Sequence, residues 1–307
     1  QSIALTLTNM IQNDADLNVT YAQSSTDSKQ LKDPNGNAVV SVTTGQSITV
    51  TNDVSAPTVS SVSTSASDGT YGIGDVIPIL IQFNEVVNVQ GAPTLALETG
   101  TSDATAVYAS GTGTDTLTFN YTVLSTHVAS DLDYKATTSL ALPTNSDTIR
   151  DNLATNATLT LATPGAENSI ADNQAIVIDG VRPTFTGYAA NAGTTTVTIT
   201  AGEVLSGAPD ATDFTVTSAA GAGNTVTAAT LASDGQSIAL TLTNMIQNDA
   251  DLNVTYAQSS TDSKKLKDPN GNDLVSVTTG QSITVTNDVS APTVSSVSTS
   301  ASDATYG

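Results

Sequence analysis

Residues 75–83 read Asp-Val-Ile-Pro-Ile-Leu-Ile-Gln-Phe, and residues 115–123 read Asp-Thr-Leu-Thr-Phe-Asn-Tyr-Thr-Val. In the first stretch Ile77, Ile79, Ile81 and Phe83 fall at every second position; in the second Leu117, Phe119, Tyr121 and Val123 do. Successive side chains of a strand point to opposite faces, so this alternation marks strands with one buried face. A helix needs apolar residues three and four apart, and no stretch of the chain sustains that spacing.

Working outward, shorter runs repeat the pattern at 94–98 (Leu95, Leu97), 157–161 (Leu159, Leu161) and 174–178 (Ile176, Ile178), with turn clusters such as Ser-Gly-Thr-Gly-Thr-Asp at 110–115 between them. Further along, Val197 and Ile199, Phe214 and Val216, Ile238, Leu240 and Leu242, Leu252, Val254 and Tyr256, and Ile283 and Val285 do the same. Many short strands broken by Gly, Asn and Asp turns, in units of about a hundred residues, predict an all-β chain of tandem Ig-like Greek-key β-sandwich modules arranged end to end.

The chain also repeats itself. Residues 1–72 return at 236–307 with four changes, Gln30 to Lys265, Ala38 to Asp273, Val39 to Leu274 and Gly69 to Ala304, so the period is 235 residues (236 minus 1). A long period means an array of modules, and such fidelity implies recent duplication. Within one period the punctuation Thr-Asn-Asp-Val-Ser-Ala-Pro (51–57) is answered by Val-Ile-Asp-Gly-Val-Arg-Pro (177–183). Both read as the end of a strand, an Asp, a turn, and a Pro opening the next strand.

This divides the chain into 1–52, the back part of one module; 53–180, a full module; 181–287, a second full module; and 288–307, the opening of the next. The chain starts at Gln1 without an initiator Met and reads as a piece of a longer array. The partial piece 1–52 is expected either to reflect an arbitrary window or to be completed by a strand from a neighbouring chain.

Eight Lys plus Arg against 29 Asp plus Glu give a formal net charge of −21. That field repels phosphate backbones and anionic lipid and attracts cations, so nucleic acid is not expected as a partner. There is no Cys and no Trp, and with no disulfide available an exported module must rely on its core or on bound metal. No apolar run of 18 residues and no signal pattern occurs, so no membrane insertion is expected in this segment.

Residues 182–205 (RPTFTGYAANAGTTTVTITAGEVL), 210–217 (DATDFTVT), 267–277 (KDPNGNDLVSV) and 281–288 (QSITVTND) together resemble the SWM-type repeat of large bacterial and cyanobacterial cell-surface proteins. Residues 56–87 (APTVSSVSTSASDGTYGIGDVIPILIQFNEVV), 92–100 (APTLALETG), 115–123 (DTLTFNYTV) and 131–142 (DLDYKATTSLAL) are similar to the Ig-like repeats of giant bacterial adhesins. The resemblance implies a long secreted protein of the bacterial cell surface, serving adhesion, biofilm matrix, a surface layer or a motility-associated structure, with calcium at module junctions. Where those repeats carry Ser-Glu in the second strand, this chain has Phe-Asn-Glu-Val-Val with Glu85 and Thr-Ala-Gly-Glu-Val-Leu with Glu203.

Calcium takes six to eight oxygen ligands from carboxylates, amides and carbonyls. The sequence offers such donors where strands end: Asp53, Asp179 and Asp288 in the linkers, Glu85 and Glu203 after second strands, and Asp131 with Asp133 as a D-x-D pair. The turn Lys-Asp-Pro-Asn-Gly-Asn adds Asp268, Asn270 and Asn272, and its earlier copy supplies Asp33, Asn35 and Asn37. That turn lacks the downstream bidentate Glu of an EF-hand and reads equally as a plain β-turn. A Ca2+ ion bridging neighbouring repeats would relieve carboxylate repulsion and stiffen the array.

No H-E-x-x-H, G-x-S-x-G or phosphate-binding Gly loop occurs, and the single His127 has no partner motif, so no enzyme is expected and His127 reads as a loop or surface residue. Gly-Ile-Gly-Asp at 72–75 reads as a turn. Sugar binding usually needs exposed aromatic platforms, which a chain without Trp is poorly equipped to supply. Lys135 is the only lysine between 53 and 180 and could in principle enter an isopeptide crosslink with a partner the sequence does not reveal. The expected role is a calcium-stiffened spacer of a surface adhesin or fibre. The alternatives are a filament or surface-layer subunit joined by strand exchange, and a carbohydrate-binding surface module.

Overall fold

The computed structural model describes residues 17–32, 34–48, 55–218, 224–248, 250–287 and 296. Asp53 and Asp288 lie outside the described residues. The chain forms two compact units: one of Gln1–Gly69, Val76–Thr122 and Ser130–Ile176, the other of Thr70–Asp75, Val123–Ala129 and Val177–Gly307. It is nearly all β.

In the first unit β1 (Leu17–Tyr21) and β2 (Val42–Ile48) pair antiparallel, Leu17 opposite Ile48 and Tyr21 opposite Val42. The strands that follow in the chain are β3 (Val59–Thr64), β4 (Gly69–Tyr71), β5 (Val76–Gln90), β6 (Thr94–Glu98), β7 (Ala104–Ser110), β8 (Thr114–Thr122), β9 (Val128–Ala129), β10 (Asp133–Tyr134), β11 (Leu140–Ala141) and β12 (Thr148–Arg150), of which β9 and most of β4 belong to the second unit. Among the described residues the main sheet runs β10-β6-β7-β8-β5-β12, with β11 on β6 and β3 on β5.

The alternation read from 75–83 holds in β5, where Ile77, Ile79 and Ile81 are fully buried and Phe83 is 2 % exposed. Opposite them on β8, Ile79 faces Phe119 and Ile81 faces Leu117, both also fully buried. Burying each such side chain contributes about 1.5–3 kcal/mol. Pro78, which has no N–H to give to a ladder, sits where β3 stops at the Thr64–Ile79 pair, and its carbonyl takes the Thr64 hydroxyl at 2.6 Å.

The segment 157–161, expected as a strand, instead touches its neighbours through the isolated bridge of Thr158 with Thr58 and the single bonds from the Ala157 amide to the Ile149 carbonyl and from the Leu161 amide to the Thr137 carbonyl. Leu161 is nevertheless buried, so the apolar side of the pattern is satisfied by packing without a ladder. A single helical turn, α1 (Ile170–Asn173), follows; Ser169 caps it by accepting from the Asp172 amide at 3.2 Å.

The second unit contains most of β13 (Ile176–Asp179), then β14 (Phe185–Asn191), β15 (Thr196–Ala201), β16 (Phe214–Ser218), β17 (Val226–Leu231), β18 (Ser237–Leu242), β19 (Leu252–Tyr256) and β20 (Val277–Thr286). β13 lies between β4 and β9, and the others are ordered β16-β19-β20-β14-β15-β18-β17. β20 serves two partners: its first half pairs antiparallel with β19, Ile283 opposite Leu252, while Thr284, Val285 and Thr286 pair in parallel with Ala189, Ala190 and Asn191 of β14. Passing one strand between two ladders gives sandwich-like layers around Val197, Ile199, Ile238, Leu240, Val254 and Tyr256. Phe185 and Phe214 pack on the Tyr256 ring at centroid distances of 5.6 and 5.1 Å.

Candidate functional site

Five of the residues singled out as calcium ligands fall in one place within the second unit. The chain leaves β13 through Asp179-Gly180-Val181, an Asx turn in which Asp179 Oδ1 accepts from the Val181 amide at 3.1 Å. Facing it is the turn 268–272. There Asp268, 2 % exposed, accepts from the Asn270 amide (2.9 Å) and the Asn272 amide (2.8 Å) through Oδ1, and from Asn272 Nδ2 (2.8 Å) through Oδ2. A buried carboxylate is costly unless hydrogen-bonded, and these three donors explain why Asp268 is buried.

Asn270 and Asn272 then fasten the turn to the linker. Asn270 Nδ2 donates to Asp179 Oδ2 at 2.6 Å. Asn272 Nδ2 donates to the Asp179 and Val181 carbonyls at 2.9 and 3.2 Å, and Asn272 Oδ1 accepts from the Ile73 amide at 2.7 Å. Asn272 is itself 2 % exposed, and one carboxamide thus joins three segments: 72–75, 179–181 and 268–272. The stretch 72–75 is the turn expected from Gly-Ile-Gly-Asp, with Asp75 Oδ2 accepting from the Gly72 amide at 2.8 Å. A side chain on Gly72 would collide with the Asn270 carbonyl. This is the physical reason for glycine at that position.

Glu203 stands half-buried at the end of β15. Burial, followed by the charges of Asp268 and Asp179, raises its carboxyl above the ordinary carboxylate value. Among the described residues no Lys or Arg forms an ion pair with Glu203, Asp179 or Asp268. The site is therefore a hydrogen-bonded latch with excess negative charge. Its hard oxygen donors have the chemistry that calcium takes. Among the described residues, however, no three His, Cys, Asp or Glu side chains converge closely enough to cage an ion by themselves.

The remaining candidates are in the first unit and do not join one another. Asp133 is buried and accepts from the Tyr134, Gly165 and Ile170 amides at 2.8, 2.7 and 3.3 Å, which makes it an organiser of the loop before α1. Asp131, its D-x-D companion, is exposed. Glu85 is half-buried on β5 where the register with β8 shifts between Gln82 and Val87. Lys135 pairs with Asp103 at the surface.

One neighbour of the latch is in the loop expected of it, but buried. His127, expected at a loop or surface, is in a loop but only 7 % exposed, and its Nδ1 accepts from the Leu124 amide at 3.2 Å. Burial holds its pKa below the ordinary value of 6.5. The loop grips the linker from behind: the Thr126 amide donates to the Gly180 carbonyl (2.8 Å) and the Gly180 amide to the His127 carbonyl (2.7 Å). A Cβ on Gly180 would meet the Leu124 and His127 carbonyls, so the Asp-Gly of the linker was a readable signal for this close approach.

Residues 178–261 match a family model named SWM_repeat and described as "Putative flagellar system-associated repeat", so this part of the chain is similar to an SWM-type repeat. The match begins beside Asp179 and takes in Glu203; the turn 268–272 follows it. No curated protein matches the chain.

Proposed function

We propose that the chain is a structural repeat segment of a bacterial surface or flagellum-associated structure, a spacer whose length is set by repetition and which carries out no catalysis. The observation that carries this reading is the return of residues 1–72 at 236–307 with four changes. Tandem near-identical copies lengthen a scaffold, whereas a catalytic domain gains little from them. The SWM-type match, described by its association with a flagellar system, supports an exported setting. The modules are of the Ig-like sandwich kind, and the latch around Asn272 serves to hold the linker at 179–181 in a fixed conformation.

Calcium is part of the same proposal. An ion beside Asp179 and Glu203 would supply the positive charge that their cluster with Asp268 lacks, and other oxygen donors would have to complete its shell. The test is thermal unfolding and small-angle scattering of the whole chain in calcium and then in excess chelator. A calcium-dependent rise in Tm with a stiffer particle is expected; no change in either removes calcium and leaves the hydrogen-bonded latch alone. Sedimentation on the same samples separates spacer from strand-exchange filament, because a spacer stays monomeric as concentration rises.

A further inference from the structure

Leu-Ser-Thr-His at 124–127 forms the tight turn behind the linker, closed by the His127 amide donating to the Leu124 carbonyl at 3.2 Å. Its third residue, Thr126, has φ +75°, in the left-handed region. A turn with positive φ at its third position favours Gly or Asn, and a β-branched residue there is strained. Such a conformation persists only where its surroundings impose it.

The surroundings here are the linker and one ring. The Thr126 amide donates to the Gly180 carbonyl at 2.8 Å, the Gly180 amide to the His127 carbonyl at 2.7 Å, and the Leu124 amide to His127 Nδ1 at 3.2 Å. On its other side the linker is held by the carboxamides of Asn270 and Asn272, which do not titrate. The imidazole does, and His127 is the only histidine of the chain. We propose that residues 124–127 are a strained clasp on the linker and that a proton arriving on His127 Nδ1 releases it.

To accept from Leu124, Nδ1 must carry no hydrogen. Protonation there sets two donors against each other, and that bond is lost. Thr126 is then free to leave the left-handed region, which turns its N–H away from the Gly180 carbonyl. The titratable and charged groups on the elements packed around the turn are Tyr71 and Asp75 on one side and Asp179 and Arg182 on the linker, with Glu203 and Asp268 beyond Asp179. Burial outweighs them and holds the imidazole pKa below 6.5, so the clasp is closed at neutral pH and opens in acid. The freedom of the linker thereby responds to pH.

The test is hydrogen exchange of the whole chain with chelator present, from about pH 8 down to about pH 4, read at the Gly180 amide and corrected for the intrinsic pH dependence of exchange. The His127 ring signal is followed by NMR on the same samples. Protection at Gly180 is expected to fall about tenfold as that signal titrates, the ratio that about 1.4 kcal/mol of lost hydrogen bonding gives. His127→Asn, whose side-chain oxygen can accept from the Leu124 amide but does not titrate, should keep Gly180 protected through the same range. Protection that stays unchanged while the ring titrates, or that is lost equally in the His127→Asn chain, overturns the proposal. Thr126→Gly relieves the strain of the closed turn and should move the loss of protection to lower pH. Should His127→Asn not fold, this second variant decides, and an unmoved midpoint overturns the proposal.

Discussion

Asn272 is buried because both ends of its carboxamide are engaged, Nδ2 with the Asp179 carbonyl, the Val181 carbonyl and Asp268, and Oδ1 with the Ile73 amide. Truncating it removes the partner of two part-buried carbonyls, of a part-buried amide and of the buried Asp268 carboxylate, so Asn272→Ala should cost about 1–3 kcal/mol in unfolding experiments. Two ionisable groups beside the latch oppose each other in pH. Glu203 has a raised pKa, so the folded state holds its proton more tightly. Stability should therefore fall as pH rises from the ordinary carboxylate value through the raised one, and Glu203→Gln should flatten that limb. His127 has a lowered pKa, so its contribution is present above pH 6.5 and is lost as pH falls from there through the folded value. Thermal melts across pH 3–8 read both limbs. None of the hub was legible as such: Asp179, Asp268, Asn270 and Asn272 were picked out as oxygen donors, but the donor role of the Asn side chains depends on partners some 90 residues away in the chain. His127 gave no signal at all, since nothing in Ser-Thr-His-Val announces that Gly180 will fold over it.

Elements fared better because a strand's pattern is local. The alternations in β5 and β8 appear residue for residue in the burial of Ile77, Ile79, Ile81, Leu117 and Phe119. The 157–161 run failed because alternation reports which side is covered, and extended chain without a ladder gives the same report. The duplicated hairpin shows how far local sequence reaches. β1 with β2 repeats the register of β19 with β20, Leu17 to Ile48 matching Leu252 to Ile283, down to the irregularity before the Tyr. The differences between the copies are also coupled. Lys265 and Asp273, replacing Gln30 and Ala38, meet each other at 2.8 Å with side chains 24 % and 23 % exposed. A double-mutant cycle with Lys265→Gln and Asp273→Ala should give a coupling of roughly 0.5–1 kcal/mol that fades in high salt. Leu274, 1 % exposed, replaces Val39, and Leu274→Val should cost about 1 kcal/mol.

For the molecule as a whole, a net charge of −21 makes every added cation favourable at long range, so melts in sodium chloride give the screening baseline against which calcium must be compared. The parallel pairing of β14 with β20 has a mechanical consequence. These strands lead into and out of the 181–287 module, and they lie side by side pointing the same way. A pull on the two ends drags them past one another along their length, so the bonds joining Ala189–Asn191 to Thr284–Thr286 share the force in shear and must rupture together. An antiparallel pair loaded at its open end would peel one bond at a time. Stretched in single-molecule force spectroscopy, this module should therefore give a high, sharp rupture peak, and Thr286→Pro, by removing the amide of a residue whose carbonyl already accepts from Ala192 of the facing chain, should lower it. A string of such modules extends by yielding one unit at a time, and so limits the tension that reaches whatever it is tied to.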